Sequence, residues 1–186
     1  MMVKNMGEKQ EIGNPLPAFS LPMLDGSGQR NPESFLENKR GALIVFWSGV
    51  CSHCLRYDQY FNEFTTRYPD LGFSSIASRL NETRAEMTSS VRDRHLTFPI
   101  LLDEGGKVAR LWYSQQTPRC YLLGPQRELL YRGAIDNFRM PIDPEYRAWL
   151  DPAIESFLKG EPIARPETAS FGCAIEMAYY KLPGQL

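Results

Sequence analysis

With 186 residues, 42% of them apolar and 12% aromatic, the chain suits one domain with a sizeable core and some embellishment. Its 21 Lys and Arg stand against 22 Asp and Glu with no block of like charge, which argues against nucleic acid or an anionic membrane as partner. No run approaches the ~18 apolar residues of a membrane span, and four cysteines in a chain this long are too few for a disulfide scaffold.

Residues 1–13 are polar and read as a flexible N-terminus. The first ten lack the apolar stretch of a secretory signal, so the sequence as it stands predicts a cytoplasmic protein; a trimmed leader would place it in the cell envelope instead. Residues 14–160 predict the folded domain, and residues 161–186, with Pro162, Pro166 and Pro183, an arm packed on it. Prolines at 15, 17 and 22 keep the first segment extended. Asp25-Gly26-Ser27-Gly28 is a turn, making residues 19–30 a small hairpin at a sheet edge. Asn31-Pro32-Glu33 has the order of a helix start, with Asn as cap, Pro next and an acid in the first turn; this helix ends near Asn38.

Residues 43–47 form a continuous apolar run, as in a strand buried on both faces. Apolar or aromatic residues at 54, 57, 61, 64 and 68 then predict one helix from Cys51 to Tyr68. Residues 73–78 read as a second buried strand, and residues 81–95 as a polar helix with Thr83, Glu86 and Arg94 facing water. A short strand over 98–103 and a two-turn helix over 107–113 follow. Residues 119–123 and 128–135 predict an antiparallel hairpin about Gly124-Pro125-Gln126-Arg127. Residues 144–159 predict an amphipathic helix with Tyr146, Trp149, Leu150, Ile154, Phe157 and Leu158 inward, closed by Gly160. The alternation predicts an α/β fold, a central mixed sheet flanked by helices.

The chemistry centres on Cys51-Ser52-His53-Cys54, between the first buried strand and the helix after it. A helix start offers free N–H groups and partial positive charge, both of which favour a thiolate over a thiol. The thiolate is the reactive form in disulfide exchange. Zinc would need about four ligands, and Cys120, Cys173, His53 and His95 include no second pair at ligand spacing, so no metal is expected. The plain alternative is two packed core thiols.

The order of these parts resembles the thioredoxin superfamily over residues 14–159. Three stretches carry the likeness: Phe46-Trp47-Ser48-Gly49-Val50-Cys51-Ser52-His53-Cys54, Thr117-Pro118 before the hairpin, and Leu129-Leu130-Tyr131-Arg132-Gly133-Ala134-Ile135-Asp136. The long segment before Phe46 and the Leu102-Asp103-Glu104-Gly105 region resemble the redoxin branch, which includes TlpA-type thiol reductases and peroxiredoxin-like proteins. Phe171-Gly172-Cys173-Ala174-Ile175 resembles a tail found in some bacterial members. Two positions depart from the pattern: Val45 stands where thioredoxins carry a buried Asp, and Val50 where a Trp usually precedes the first cysteine.

The resemblance implies a thiol–disulfide oxidoreductase without a cofactor. Cys51 would be the partly exposed nucleophile with a pKa below the usual ~8.5, and Cys54 the buried resolving thiol. His53 would stabilise the Cys51 thiolate and make the disulfide more oxidising than that of thioredoxin. Pro118 is expected to be cis, aiming the backbone of Thr117 at the cysteines so that a substrate chain can pair with it; Trp47 would complete this surface. Cys120 and Cys173 read first as plain thiols, with Cys173 also a candidate relay thiol. The partners would be protein or small-molecule thiols and disulfides, with an upstream reductant or oxidant. A peroxidase of the same branch would need Pro-x-x-x-Thr/Ser-x-x-Cys, and counting back from Cys54 finds Trp47 and Cys51 where Pro and Thr should stand. A non-catalytic redox sensor or binding module on the same fold is the third reading.

Overall fold

The computed structural model of the chain describes residues 9–138 and 145–175. Leu21–Pro22 (β1) and Gln29–Arg30 (β2) pair antiparallel as the small hairpin. Helix α1 (Pro32–Leu36) starts at Asn31, whose side chain accepts from the Ser34 N–H while the Ser34 hydroxyl accepts from the Asn31 N–H. Strand β3 (Gly41–Trp47) is buried along its whole length, as is β4 (Leu71–Ala77). Between them lie three short helices, α2 (Ser52–Leu55), α3 (Asp58–Asn62) and α4 (Phe64–Arg67). Then come α5 (Arg84–Asp93), β5 (Ile100–Leu102), α6 (Lys107–Leu111), β6 (Gln116–Thr117), β7 (Arg119–Leu123) and β8 (Leu129–Gly133). Helix α7 (Leu150–Lys159) and β9 (Cys173–Ala174) complete the chain.

The central sheet runs β5-β4-β3-β7-β8. β3, β4 and β5 are parallel, β7 is antiparallel to β3, and β8 is antiparallel to β7 and so runs with the first three. Alternation along β3 sorts its side chains into two cores. Leu43, Val45 and Trp47 join Phe61, Phe64, Phe73 and Phe98 on one face, where α7 also packs. Ile44 and Phe46 join Leu16, Phe19, Trp112 and Tyr121 on the other. A strand sandwiched in this way must be apolar at every position, which is why 43–47 reads as a continuous run.

Several boundaries differ from the sequence reading. The helix expected over 51–68 is divided in three, with i−3 hydrogen bonds at the junctions, Tyr57 N to Cys54 O and Thr66 N to Glu63 O. At the first junction the side chains are committed to distant partners: the Tyr57 hydroxyl donates to Asp136 (2.6 Å) and Arg56 lies over the Phe138 ring. α7 begins at Leu150, because 145–149 runs back along the chain after β8, with Trp149 N donating to Ile135 O and Asn137 N to Arg147 O. Tyr146 is therefore 70% exposed instead of inward, and Pro144 falls outside the described residues. Gly160 closes α7 at φ 73°, a left-handed conformation that favours glycine.

Arg94 does not face water; it turns under the sheet end to pair with Asp58. Of the expected loose N-terminus, residues 1–8 lie outside the described residues, but 9–13 are tied down. Lys9 pairs with Glu167, the Gln10 carbonyl accepts from Arg132, and Gly13 N donates to Leu129 O. The arm lies on the same side. Arg132, fully buried, also pairs with Glu167, while Thr168 N donates to Arg132 O. Residues 176–186 fall outside the described residues. Among the described residues no helix is long and apolar enough to cross a membrane.

Candidate active site

The site forms where β3 stops. Ser48, Gly49 and Val50 turn the chain, Cys51 caps α2, and the Cys51 carbonyl accepts the N–H groups of Cys54 (3.0 Å) and Leu55 (3.2 Å). This brings Cys51 and Cys54 to one side of a single helical turn. Opposite them, Thr117–Pro118 is a cis peptide, and the Cys51 thiol donates to the Thr117 carbonyl at 3.3 Å. Cys54 is fully buried, and Cys51 is only 1% exposed instead of partly open, because Cys173 of the arm lies beside it.

The two sulfurs are driven apart in acidity. A hydrogen bond from the Cys54 thiol is the main influence drawing the Cys51 pKa down, to about 4. Burial opposes it, and hydrogen bonds from Cys173 and Thr117 assist. The Thr117 hydroxyl is buried without a partner while Cys51 is a thiol, which leaves it able to turn toward a thiolate. Burial pushes Cys54 well up, and its role as donor to Cys51 pushes further. The macrodipole invoked from the sequence is reduced here, since α2 has only four residues. Neighbouring donors take its place.

The rate of Cys51 alkylation should therefore be nearly flat from about pH 5 to pH 8, where an ordinary thiol loses roughly tenfold per unit. Iodoacetamide labelling with peptide mass analysis is the check, and a tenfold fall per unit at Cys51 would mean a protonated sulfur. The same flat profile is expected for His53→Ala. The His53 ring, half-buried, packs edge-on against Phe171 (centroids 5.1 Å) and nears Phe138, and is not among the largest influences on Cys51.

Other expected residues take different places. Trp47 is fully buried behind the site, its ring against Phe98 (5.8 Å) and beneath the Arg94 guanidinium (5.3 Å), so the substrate surface loses it. That surface is apolar through Val50, Leu55 and Phe171, each at least two-fifths exposed. Cys120 pairs with Val45 across β7 and β3, fully buried, and burial raises its thiol pKa. Cys173 sits across from Thr117 in the β6–β9 pair.

Two residues that the sequence reading missed brace the turn before Cys51. The Glu82 carboxylate accepts from Gly49 N at 2.6 Å, and Arg94 donates to the Gly49 carbonyl. Burial raises the Glu82 pKa against hydrogen bonds from Ser48, Gly49 and Val50. One signal was available: Glu82 follows β4, and loops at the carboxyl ends of parallel strands are where open α/β sheets place their sites.

A family model described as Redoxin matches residues 11–134. A protein of Bacillus thuringiensis subsp. konkukian named thiol-disulfide oxidoreductase ResA is 28% identical over 116 residues, which is 62% of this chain and 65% of that protein. The aligned part is thus slightly under two thirds of the relative's length. A protein of the same name from Oceanobacillus iheyensis is 26% identical over 146 residues, 75% of this chain and 76% of its own. Among solved structures, a hypothetical protein of Sinorhizobium meliloti 1021 has a TM-score of 0.79 at 23% identity, covering 91% of this chain and 96% of that one. The chain belongs to the redoxin family, and its fold is that of thioredoxin.

Proposed function

We propose that the protein is a thiol–disulfide oxidoreductase in which Cys51 attacks and Cys54 resolves. The observation that carries this is the pairing of a sulfur held toward thiolate with a buried thiol that donates to it, beside the cis-Pro118 backbone. The names of the Bacillus and Oceanobacillus relatives point the same way.

The Cys51 thiolate attacks a disulfide R–S–S–R′, forming Cys51–S–S–R and expelling R′S⁻. Cys54 then gives up its proton, which neutralises a leaving thiolate, and attacks the Cys51 sulfur. RS⁻ departs, the Cys51–Cys54 disulfide remains, and the substrate has gained two electrons. A partner dithiol reverses the sequence. The exchange partners are protein or small-molecule thiols and disulfides, with an upstream dithiol or disulfide to reset the pair. Cys54 as a peroxide-attacking residue is disfavoured, because it is fully buried with its pKa raised.

Stabilising the Cys51 thiolate stabilises the reduced pair, so the disulfide should be a better oxidant than that of thioredoxin, at about −270 mV. Equilibration with glutathione buffers gives the potential, and insulin reduction with a dithiol donor gives the activity. A potential at or below thioredoxin's would overturn the first expectation, and no acceleration of insulin reduction the second.

A further inference from the structure

Among the described residues, the feature that the exchange mechanism leaves unused is the arm. β9 lies antiparallel on β6 with Thr117 opposite Cys173 and Gln116 opposite Ala174. Ile175 N donates to Gln115 O at 2.8 Å, and the Ile175 side chain is buried in the core beyond. Upstream the arm is held at Glu167 and Thr168 on β8. An extended strand laid on a free edge is how such edges take peptides. Here the chain supplies that strand itself, with a cysteine at the position facing Thr117.

Local geometry brings the cysteine close. A Cβ on Gly172 would stand 2.0 Å from the Thr117 carbonyl oxygen, so only glycine lets the arm approach to this depth. The Cys51 thiol donates at 3.3 Å to the carbonyl of Thr117, the residue paired with Cys173, so the arm's sulfur neighbours that of Cys51. With the arm seated, the thiols that influence Cys51 are those of Cys54 and Cys173.

We propose that Cys173 is a third exchanging thiol, delivered by the arm in the manner of a substrate cysteine and forming a disulfide with Cys51. This rests on Cys51 being the nucleophile, as proposed above. A substrate disulfide is the oxidant and first leaves Cys51–S–S–R. The Cys173 sulfur loses its proton and attacks the Cys51 sulfur, the bond to R breaks, and R departs as RSH. Cys54 then attacks Cys51 in turn, and Cys173 leaves with the proton that Cys54 gives up. The sum is one substrate disulfide reduced to two thiols and one Cys51–Cys54 disulfide formed. The arm thus offers a second route for clearing a mixed disulfide, at the high local concentration that tethering confers.

The test uses the reduced full chain and the aromatic disulfide dithionitrobenzoate, which releases one coloured thiolate on attack and a second on resolution. Wild type, Cys54→Ser, Cys173→Ser and the double variant are compared, and peptide mass mapping identifies the products. Cys54→Ser is expected to release both equivalents and yield a Cys51–Cys173 disulfide, while the double variant stops at one and keeps the adduct. Adding Gly172→Ala to Cys54→Ser, which keeps the thiols and unseats the strand, should slow the second release about tenfold or more through lost effective concentration. Cys54→Ala repeats the experiment should a buried hydroxyl not be tolerated. An adduct as long-lived in Cys54→Ser as in the double variant, or no effect of Gly172→Ala, would overturn the proposal. Cys51→Ser releasing colour as wild type does would overturn the nucleophile assignment instead, so the two failures are separable.

Discussion

Cys51→Ser is expected to bring disulfide exchange down to the uncatalysed background, and the Cys54→Ser, Cys173→Ser double variant to stop steady turnover while sparing the first attack. The asymmetry follows from acidity, since both sulfurs are covered. Cys51 is the sulfur drawn toward thiolate, by donors on three sides, whereas Cys54 is sealed in and kept protonated until its neighbour has reacted. A hydroxyl at position 51 cannot replace a thiolate, because serine ionises far above neutral pH and forms no disulfide. Hydroxyls at positions 54 and 173 leave Cys51 able to attack but without a neighbouring sulfur to close on it. Dithiol-driven insulin reduction reads the turnover, and stoichiometric labelling reads the first step. Residual turnover in Cys51→Ser, or full turnover in the double variant, would assign the chemistry to other sulfurs.

Arg94→Ala should lower the unfolding free energy by about 3–5 kcal/mol, the usual cost of removing one partner from a buried ion pair. Asp58 and Arg94 meet through two contacts, Nε to Oδ2 at 2.6 Å and Nη2 to Oδ1, with both side chains largely covered. Truncating the arginine strands the Asp58 carboxylate under the surface. It also uncovers Trp47 and releases the Gly49 carbonyl from the turn that sets Cys51. Arg94→Lys should recover only part of the loss, because a point charge cannot match a two-pronged contact. Urea unfolding of the reduced protein measures both variants. A loss under 1 kcal/mol for Arg94→Ala would show the pair to be solvent-screened, as surface pairs are.

The features readable in the sequence share one property: their causes lie within a few residues. The apolar run of β3, the Asn31 cap with Pro32 behind it, the Gly160 stop and the two-residue spacing of Cys51 and Cys54 are each set by local backbone and burial rules. Cis-Pro118 was legible only through the family likeness, since no local rule singles out one proline among fourteen.

What tertiary structure decided is where polar side chains go when the core needs them. Arg94 and Glu82 lie in a segment with the composition of a solvated helix, yet the turn before Cys51 ends in backbone groups that require buried partners, and these two residues supply them. The break at Tyr57 answers to Asp136, and Tyr146 is turned outward by a backbone that pairs with residues 135–137. Likewise, nothing between Thr117 and Cys173 in the sequence sets their juxtaposition. The chain determined by itself that a redox-capable cysteine pair would sit at the end of a buried strand. Long-range packing alone decided which groups hold the proton away from Cys51 and which thiol lies over it, because those partners are contributed by segments that meet only when the sheet is complete.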